Sequence, residues 1–212
     1  MRATAVVPVK RFALAKSRLA PGVEATEKPD LVAAMVADVL EAIGAARQIE
    51  RTIVVSQEPR AVELAAAAGA ELVNDFDDAS HVAAALAGIA AAEARGARCV
   101  AILPGDCPLL DPRELDKMLT GVPDEYVAVI PDRHGAGTNA LVLAPPSAIV
   151  PSFGEGSKER HVEAARAAGV PYAVEELPSL GLDLDTPADI VALTMRVERD
   201  GGAKRTAKAL GI

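Results

Sequence analysis

The clearest chemical pattern in the chain is a pair of acids, Asp183 and Asp185, which alternate with Leu182 and Leu184. In a strand, side chains two residues apart project to the same face, so both carboxylates are predicted to point outward and both leucines inward. Two carboxylates about 7 Å apart repel by roughly 2 kcal/mol at an effective dielectric constant near 20, and a divalent cation reverses that cost. Because magnesium prefers hard oxygen ligands, the pair predicts a magnesium site; exposed charges on an edge strand are the alternative.

A third carboxylate follows the apolar run Cys99–Leu103, which stops at Pro104-Gly105 immediately before Asp106. Five apolar residues are too few for a buried helix and are typical of a buried parallel strand, so Asp106 is predicted to lie at a strand tip. In open α/β sheets, ligands bind beyond the carboxyl ends of the strands. We therefore expect Asp106 to lie opposite Asp183 and Asp185 and to share one or two magnesium ions with them; capping of a turn is the alternative.

Positive charge is concentrated just after the first predicted strand, where Lys10, Arg11, Lys16 and Arg18 lie within nine residues. Cations at the carboxyl edge of a sheet can receive phosphate groups, although a solvated basic loop is the simpler alternative. The chain contains neither GxGxxG nor GxxxxGK[ST]. This disfavours a dinucleotide-binding Rossmann domain and a P-loop enzyme.

The segment Asp132–Asn139 is a first candidate anion-binding loop. Gly135 and Gly137 allow the backbone to approach a ligand closely, and Thr138 and Asn139 provide hydrogen-bond donors. An ordinary hairpin between two strands is the alternative.

A second candidate loop contains Gly154 and Gly156 just before Ser157. We expect Ser157 to cap the helix Lys158–Ala168, so that the unpaired N–H groups of its first turn can bind a phosphate or a carboxylate. Ordinary helix capping is the alternative.

These residues must be positioned by an alternation of apolar strands and amphipathic helices. The pattern predicts right-handed parallel crossovers and an α/β fold, in which a three-layer α/β/α domain surrounds a mostly parallel central sheet. The predicted strands are Thr4–Val9, Arg51–Ser56, Glu71–Val73, Cys99–Leu103, Tyr126–Pro131, Ala140–Ala144 and Tyr172–Glu175. The predicted helices are Thr26–Ala46, Pro59–Ala68, His81–Arg95, Pro112–Leu119, Lys158–Ala168 and Pro187–Arg199.

Composition limits the classes of protein to consider. The 212 residues suit one domain, 1–212, in which 200–212 is expected to be a polar, partly mobile tail. Half of the residues are apolar but only 2% are aromatic, and the net charge of −8 argues against nucleic-acid and membrane partners. There is no CxxC motif and no run of about 20 apolar residues, and the first residues are expected to lead into a strand instead of a signal peptide, so we expect a reducing cytoplasm.

A metal site, a basic loop and two anion-binding loops together favour nucleotidyl transfer over hydride or acyl transfer. The chain has no serine elbow and no HExxH motif, and its three histidines, His81, His134 and His161, have unrelated spacing. A phosphate monoester acceptor needs no general base, because its second pKa is about 6. Catalysis then consists of in-line positioning and charge neutralisation by metal and Lys/Arg.

Five segments together, VPVKRFALAKSRLA, LPGDCPLL, GAGTNALVL, FGEGSKERH and LGLDLDTPADI, resemble the family of 2-phospho-L-lactate and phosphoenolpyruvate guanylyltransferases. These enzymes serve the biosynthesis of the deazaflavin coenzyme F(420), and the resemblance covers nearly the whole chain. It implies a GT-A-like nucleotidyltransferase fold. It also implies that GMP passes from GTP to the phosphate of phosphoenolpyruvate or 2-phospho-L-lactate and that pyrophosphate is released. A downstream transferase that receives the product is a further candidate partner.

The resemblance also implies roles for three groups of residues. They are Asp106, Asp183 and Asp185 for magnesium, Thr138, Gly154 and Ser157 for the carboxylate of the acceptor, and Lys10, Lys16 and Arg18 for the triphosphate. The chain departs from the family where a Gly-Leu-Asn-like segment usually opens the third helix near the base. Here it has Ala79-Ser80-His81-Val82, which bears on the selectivity for GTP.

Two other functions stay open at this level. One is another nucleotidyltransferase of the same fold, such as one acting on molybdopterin, although those enzymes usually carry an LAGG-type first loop where this chain has Pro-Val-Lys-Arg. The other is a non-catalytic nucleotide-binding module, against which the joint presence of Asp106, Asp183 and Asp185 argues.

Overall fold

The computed structural model describes residues 1–12, 28–74 and 80–212. The strands are β1 (Ala3–Pro8), β2 (Ile49–Val55), β3 (Glu71–Val73), β4 (Val100–Ile102), β5 (Tyr126–Pro131), β6 (Thr138–Ala144) and β7 (Tyr172–Val174). The helices are α1 (Lys28–Ala45), α2 (Pro59–Ala67), α3 (His81–Glu93), α4 (Pro112–Leu119), α5 (Ser157–Ala168), α6 (Pro187–Asp200) and α7 (Lys204–Leu210).

The strands form one seven-stranded sheet in the order β3-β2-β1-β4-β6-β5-β7. All neighbouring strands pair in parallel except at β6, which is antiparallel to both β4 and β5. The hairpin between β5 and β6 reverses the chain, and the Asp132 carboxylate closes it by accepting hydrogen bonds from the N–H groups of His134, Ala136 and Gly137. The predicted α/β fold with a mostly parallel sheet is confirmed.

Both faces of the sheet are covered, as the nearly continuous apolar strands require. In β1, Ala5 and Val7 pack into the apolar cluster shared with α1, α2, α4, α6 and α7, whereas Val6 packs into the cluster shared with α3 and α5. Gly88 lets α3 lie very close to β1, since a Cβ atom there would lie 2.2 Å from Cγ1 of Val6. The result is a three-layer α/β/α arrangement. None of the described helices is both long and apolar enough to cross a membrane.

The segment after Asp200 was expected to be a polar tail, but it contains the helix α7, which packs on α1. The buried Asp38 of α1 organises this contact, because its carboxylate accepts hydrogen bonds from the backbone N–H groups of Arg205 and Thr206 and from the Thr206 hydroxyl. Arg205 also pairs with Asp38 and with Glu41. The polar composition suggested a solvated segment, but the buried carboxylate of Asp38, far away in the sequence, accepts hydrogen bonds from its polar groups.

Candidate functional site

The candidate site lies where the carboxyl ends of β1 and β4 meet the beginning of β6. Lys10 follows β1 and Asp106 follows β4. Because β6 runs antiparallel to β4, with Leu141 opposite Ile102, its first residue, Thr138, lies at this same edge. The reversed strand therefore brings the end of the first glycine loop, Asp132–Asn139, to the edge of the sheet where the parallel strands have their carboxyl ends. Ligands bind at this edge in open α/β sheets.

The segment that carries Asp183 and Asp185 contacts Asp106 through its backbone. The N–H group of Leu184, which separates the two aspartates, donates a hydrogen bond to the Asp106 carbonyl over 3.3 Å. Leu182 and Leu184 are buried, whereas Asp183 and Asp185 are partly exposed. The two acids thus flank the point at which their segment contacts the Asp106 turn.

The prediction of a strand at this segment is wrong, although the predicted alternation is correct. Residues 181 to 185 belong to none of the seven strands and instead run as irregular chain between β7 and α6. The alternation survives because Leu182 and Leu184 fill the core, and this leaves the intervening side chains on the opposite face.

Three hydrogen bonds and one ion pair hold this acid segment in place. The Asn139 amide donates to the Leu180 carbonyl over 2.7 Å. The Asp189 carboxylate accepts hydrogen bonds from the N–H groups of Asp185 and Thr186 over 3.0 and 2.6 Å. Asp189 also forms an ion pair with Arg133 of the β5–β6 hairpin, so the segment is fixed to both the hairpin and α6.

Five of the predicted site residues line one cavity of about 470 Å³. They are Asp106, Asp183, Asp185, Thr138 and Gly154. A smaller adjoining cavity of about 130 Å³ contains Lys10 and shares Asp106 and His81 with the first. The cleft therefore combines three carboxylates, a cation and the second glycine loop. Lys16, Arg18 and Ala79 lie outside the described residues.

The second glycine loop is built differently from the prediction. Gly156, with φ of 69°, occupies the N-cap position of α5, so Ser157 is the first helical residue and not the cap. Gly154, with φ of 110°, also needs the conformational freedom of glycine. The Ser157 side chain is buried, and its Oγ has no hydrogen-bond partner within the described part of the chain. A buried hydroxyl group without a partner is uncommon in folded proteins.

A buried histidine, His161, joins the two glycine loops and was missed by the sequence analysis. Its Nδ1 lies 3.0 Å from Oγ1 of Thr138, and its Nε2 lies 2.8 Å from the N–H group of Ser152, which donates to it. Burial and, to a smaller extent, the charge of Arg160 together lower the pKa of His161 to about 4. The signal was its spacing of four residues from Ser157, which places both on the buried face of α5.

His81 lies at the mouth of the cleft, at the beginning of α3. Its ring meets Phe153 edge to face, with centroids 4.8 Å apart. His81 is exposed at its surface, but the surrounding protein still desolvates the ring and thereby lowers the pKa of His81. The charge of Asp106 raises this pKa, and the charge of Lys10 lowers it. The position where the chain departs from the family pattern therefore borders both cavities.

The donor set of the cleft fits a hard cation that is shared with substrate. Among the described residues, no three carboxylate, imidazole or thiol groups are placed to hold a metal ion by themselves. Magnesium is commonly bound by one or two carboxylates together with substrate phosphates. Carboxylates on two segments that line one cavity match that mode better than a site built from protein ligands alone.

Comparison with known proteins identifies relatives of the whole chain. A family model described as "Guanylyl transferase CofC like" matches residues 3–212. A phosphoenolpyruvate guanylyltransferase of Conexibacter woesei is 42% identical over 210 residues, covering 97% of this chain and 94% of the relative. One of Sphaerobacter thermophilus is 40% identical over 193 residues, covering 91% of this chain and 93% of the relative. These matches confirm the resemblance seen in the motifs.

The fold is also found in solved structures. A crystal structure from Desulfovibrio desulfuricans G20, provisionally described as a nucleotide-diphospho-sugar transferase, superimposes with a TM-score of 0.75 and covers 99% of this chain and 97% of that one. Its sequence identity is 16%, so this likeness shows the fold alone.

Proposed function

The chain belongs to the CofC-like guanylyl transferase family, and from that premise we propose that it transfers GMP from GTP to the phosphate of phosphoenolpyruvate. Two relatives that match nearly the whole chain carry the name phosphoenolpyruvate guanylyltransferase. The observation that carries the proposal is the cavity in which Asp106, Asp183 and Asp185 lie together with Thr138 and Gly154. Such a cavity combines carboxylates suited to a phosphate-bound cation with a loop suited to an anion.

The reaction needs only positioning and charge neutralisation. A phosphate oxygen of phosphoenolpyruvate attacks the α-phosphorus of GTP, so a new oxygen–phosphorus bond forms while the bond from the α-phosphorus to the α,β-bridging oxygen breaks. Pyrophosphate leaves with the electron pair of that bond. No general base is required, because the attacking phosphate is already largely ionised at neutral pH. This is consistent with a cleft that is lined by acids and donors instead of a nucleophile and its base.

In this proposal, three groups of residues in the cleft bind the acceptor, the triphosphate and the metal ion. Thr138, Gly154 and the orphaned hydroxyl of Ser157 hold the carboxylate of the acceptor. Lys10 contacts the triphosphate. Asp106, Asp183 and Asp185 hold magnesium, which when bound neutralises phosphate charge.

The proposal extends to the context of the reaction. We place the enzyme in the biosynthesis of the deazaflavin coenzyme F(420), as the family resemblance implies, and in the cytoplasm. The product is a mixed phosphate anhydride, which suits direct transfer to a downstream transferase.

The test is pyrophosphate release by the purified protein with magnesium, GTP or CTP, and phosphoenolpyruvate or 2-phospho-L-lactate, with the guanylylated product identified by mass spectrometry. We expect release with GTP and phosphoenolpyruvate. Release with no pair would refute nucleotidyl transfer, release with CTP alone would refute guanylyl transfer, and release with 2-phospho-L-lactate alone would refute the acceptor.

A matched pair of variants links the reaction to the cleft. Asp106→Asn is expected to remove turnover, whereas Asp111→Asn, which lies at the N-cap of α4 and keeps a capping side chain, is expected to retain it. Equal activity of the two variants would contradict the assigned role of Asp106. Chelation of magnesium followed by its restoration tests the metal separately.

A further inference from the structure

Both ring nitrogens of His161 are engaged in hydrogen bonds, and together they decide where its proton lies. The ring is completely buried. The backbone N–H of Ser152 donates to Nε2 over 2.8 Å, and an N–H group of the backbone can only donate. Nε2 must therefore carry no proton, so the neutral ring carries its proton on Nδ1.

The position of this proton dictates how Thr138 interacts. Nδ1–H donates to the Thr138 hydroxyl oxygen over 3.0 Å. The hydroxyl has one proton of its own, which cannot point at a protonated Nδ1 and must serve another acceptor. Thr138 lines the cavity with Gly154, so that proton is available to an anion bound there.

The opposite tautomer would reverse the effect. With the proton on Nε2, the Thr138 hydroxyl would donate to Nδ1 and present its lone pairs to the cavity. A carboxylate would then meet an acceptor instead of a donor. The Ser152 contact thus determines whether Thr138 attracts or repels the acceptor.

We propose that His161 is a positioning residue that orients the Thr138 hydroxyl as a donor to the carboxylate of the acceptor. The inference rests on the proposed function for the identity of that carboxylate. Through its bonds to Ser152 and Thr138, His161 also connects the second glycine loop to the beginning of β6, and Phe153 meets the His161 ring edge to face with centroids 5.4 Å apart. The lowered pKa of His161 agrees with a ring that stays neutral during turnover.

Two conservative variants separate the two hydrogen bonds. In His161→Asn the amide nitrogen can replace Nδ1 and keep the donor to Thr138, while the bond from Ser152 is lost. In His161→Gln the amide oxygen can replace Nε2 and keep the bond from Ser152, while the donor to Thr138 is lost.

The kinetic test compares KM for phosphoenolpyruvate, KM for GTP and kcat in both variants. We expect His161→Gln to raise KM for phosphoenolpyruvate roughly tenfold or more, as for the loss of a hydrogen bond to a charged group, with little change in KM for GTP. His161→Asn, which keeps the donor to Thr138, should retain most of the wild-type affinity for phosphoenolpyruvate. His134→Gln, at an exposed hairpin position, is the matched control. Equal losses in both variants, or equal rises of both KM values, would overturn the proposal.

A double variant tests the link through Thr138. In the background of Thr138→Val, which has no hydroxyl group to orient, His161→Gln should not raise KM for phosphoenolpyruvate further. A further rise of the same size would show that His161 acts by another route.

A measurement without turnover separates this inference from the proposed function. NMR of the intact protein with isotope-labelled histidine should show His161 neutral at pH 7 with its proton on Nδ1. A proton on Nε2 would overturn the inference even if the enzyme is active. A proton on Nδ1 in a protein that releases no pyrophosphate would support the orientation of Thr138 while refuting the proposed function.

Discussion

Acidification is expected to remove a stabilising contribution that comes from His161. The ring is completely buried, and burial followed by the charge of Arg160 lowers its pKa from 6.5 to about 4. Protonation would place a second N–H group at Nε2, where the Ser152 N–H already donates. The charged ring in the folded protein would therefore lack that hydrogen bond, and it would also lack the hydration that it has in the unfolded chain.

The sign and size follow from proton linkage. Between about pH 6.5 and pH 4 the unfolded chain binds a proton at this histidine and the native protein does not, so the free energy of unfolding falls as the pH falls. The loss relative to pH 7 is at most about 1 kcal/mol at pH 5.5 and about 3 kcal/mol at pH 4. The contribution is complete above the unfolded pKa and is lost as the pH falls through the folded one.

The assay is urea unfolding at pH 7, 5.5 and 4 with the wild-type protein and with His161→Asn. The variant cannot titrate at this position, so the other ionisable groups cancel in the difference between the two proteins. We expect the advantage of the wild-type protein to shrink by up to about 3 kcal/mol over this range. Parallel loss of stability in both proteins would refute the argument for a buried, neutral imidazole.

Three further predictions concern the cleft and its supports. Asp183→Asn should abolish turnover while leaving the melting temperature nearly unchanged, and strong destabilisation would instead indicate a structural role. Asp38→Ala should lower the free energy of unfolding by about 2 to 4 kcal/mol, because it leaves three donors of α7 without an acceptor; Glu41→Ala, at an exposed neighbour, should change it little in the same denaturant titration. Gly88→Ala should cost about 1 to 3 kcal/mol by overpacking against Val6, and an unchanged thermal midpoint would contradict the close packing of α3.

Local signals explain the parts of the fold that the sequence predicted well. The bounds of α4 follow from a capping aspartate, Asp111, and a proline at the first position, both of which act within one turn. The bounds of β5 follow from a short apolar run that ends at Pro131, before the hairpin. The sheet order follows less directly, because an antiparallel β6 within a parallel sheet depends on the short connection after β5 and not on composition.

Contacts between distant segments explain the parts that could not be predicted. The alternation around Asp183 correctly indicated which side chains face the core, but a period of two does not show whether a neighbouring strand is present. Helix α7 depends on Asp38, more than 160 residues earlier in the chain. The partnership of His161 with Thr138 joins a helix to a strand, and no spacing within either segment encodes it.

Two aspartates six residues apart, Asp183 and Asp189, have different roles, one in the cavity and one in the structure that supports it. The Asp189 carboxylate is buried, accepts the N–H groups of Asp185 and Thr186, and pairs with Arg133. Its negative charge is thus matched by donors on the hairpin and the acid segment. Asp183 instead lines the cavity beside two other carboxylates, Asp106 and Asp185. Asp189→Asn should therefore lower the free energy of unfolding, whereas Asp183→Asn should remove activity. Asp189 supports the segment that carries the functional carboxylates but is not itself part of the cavity.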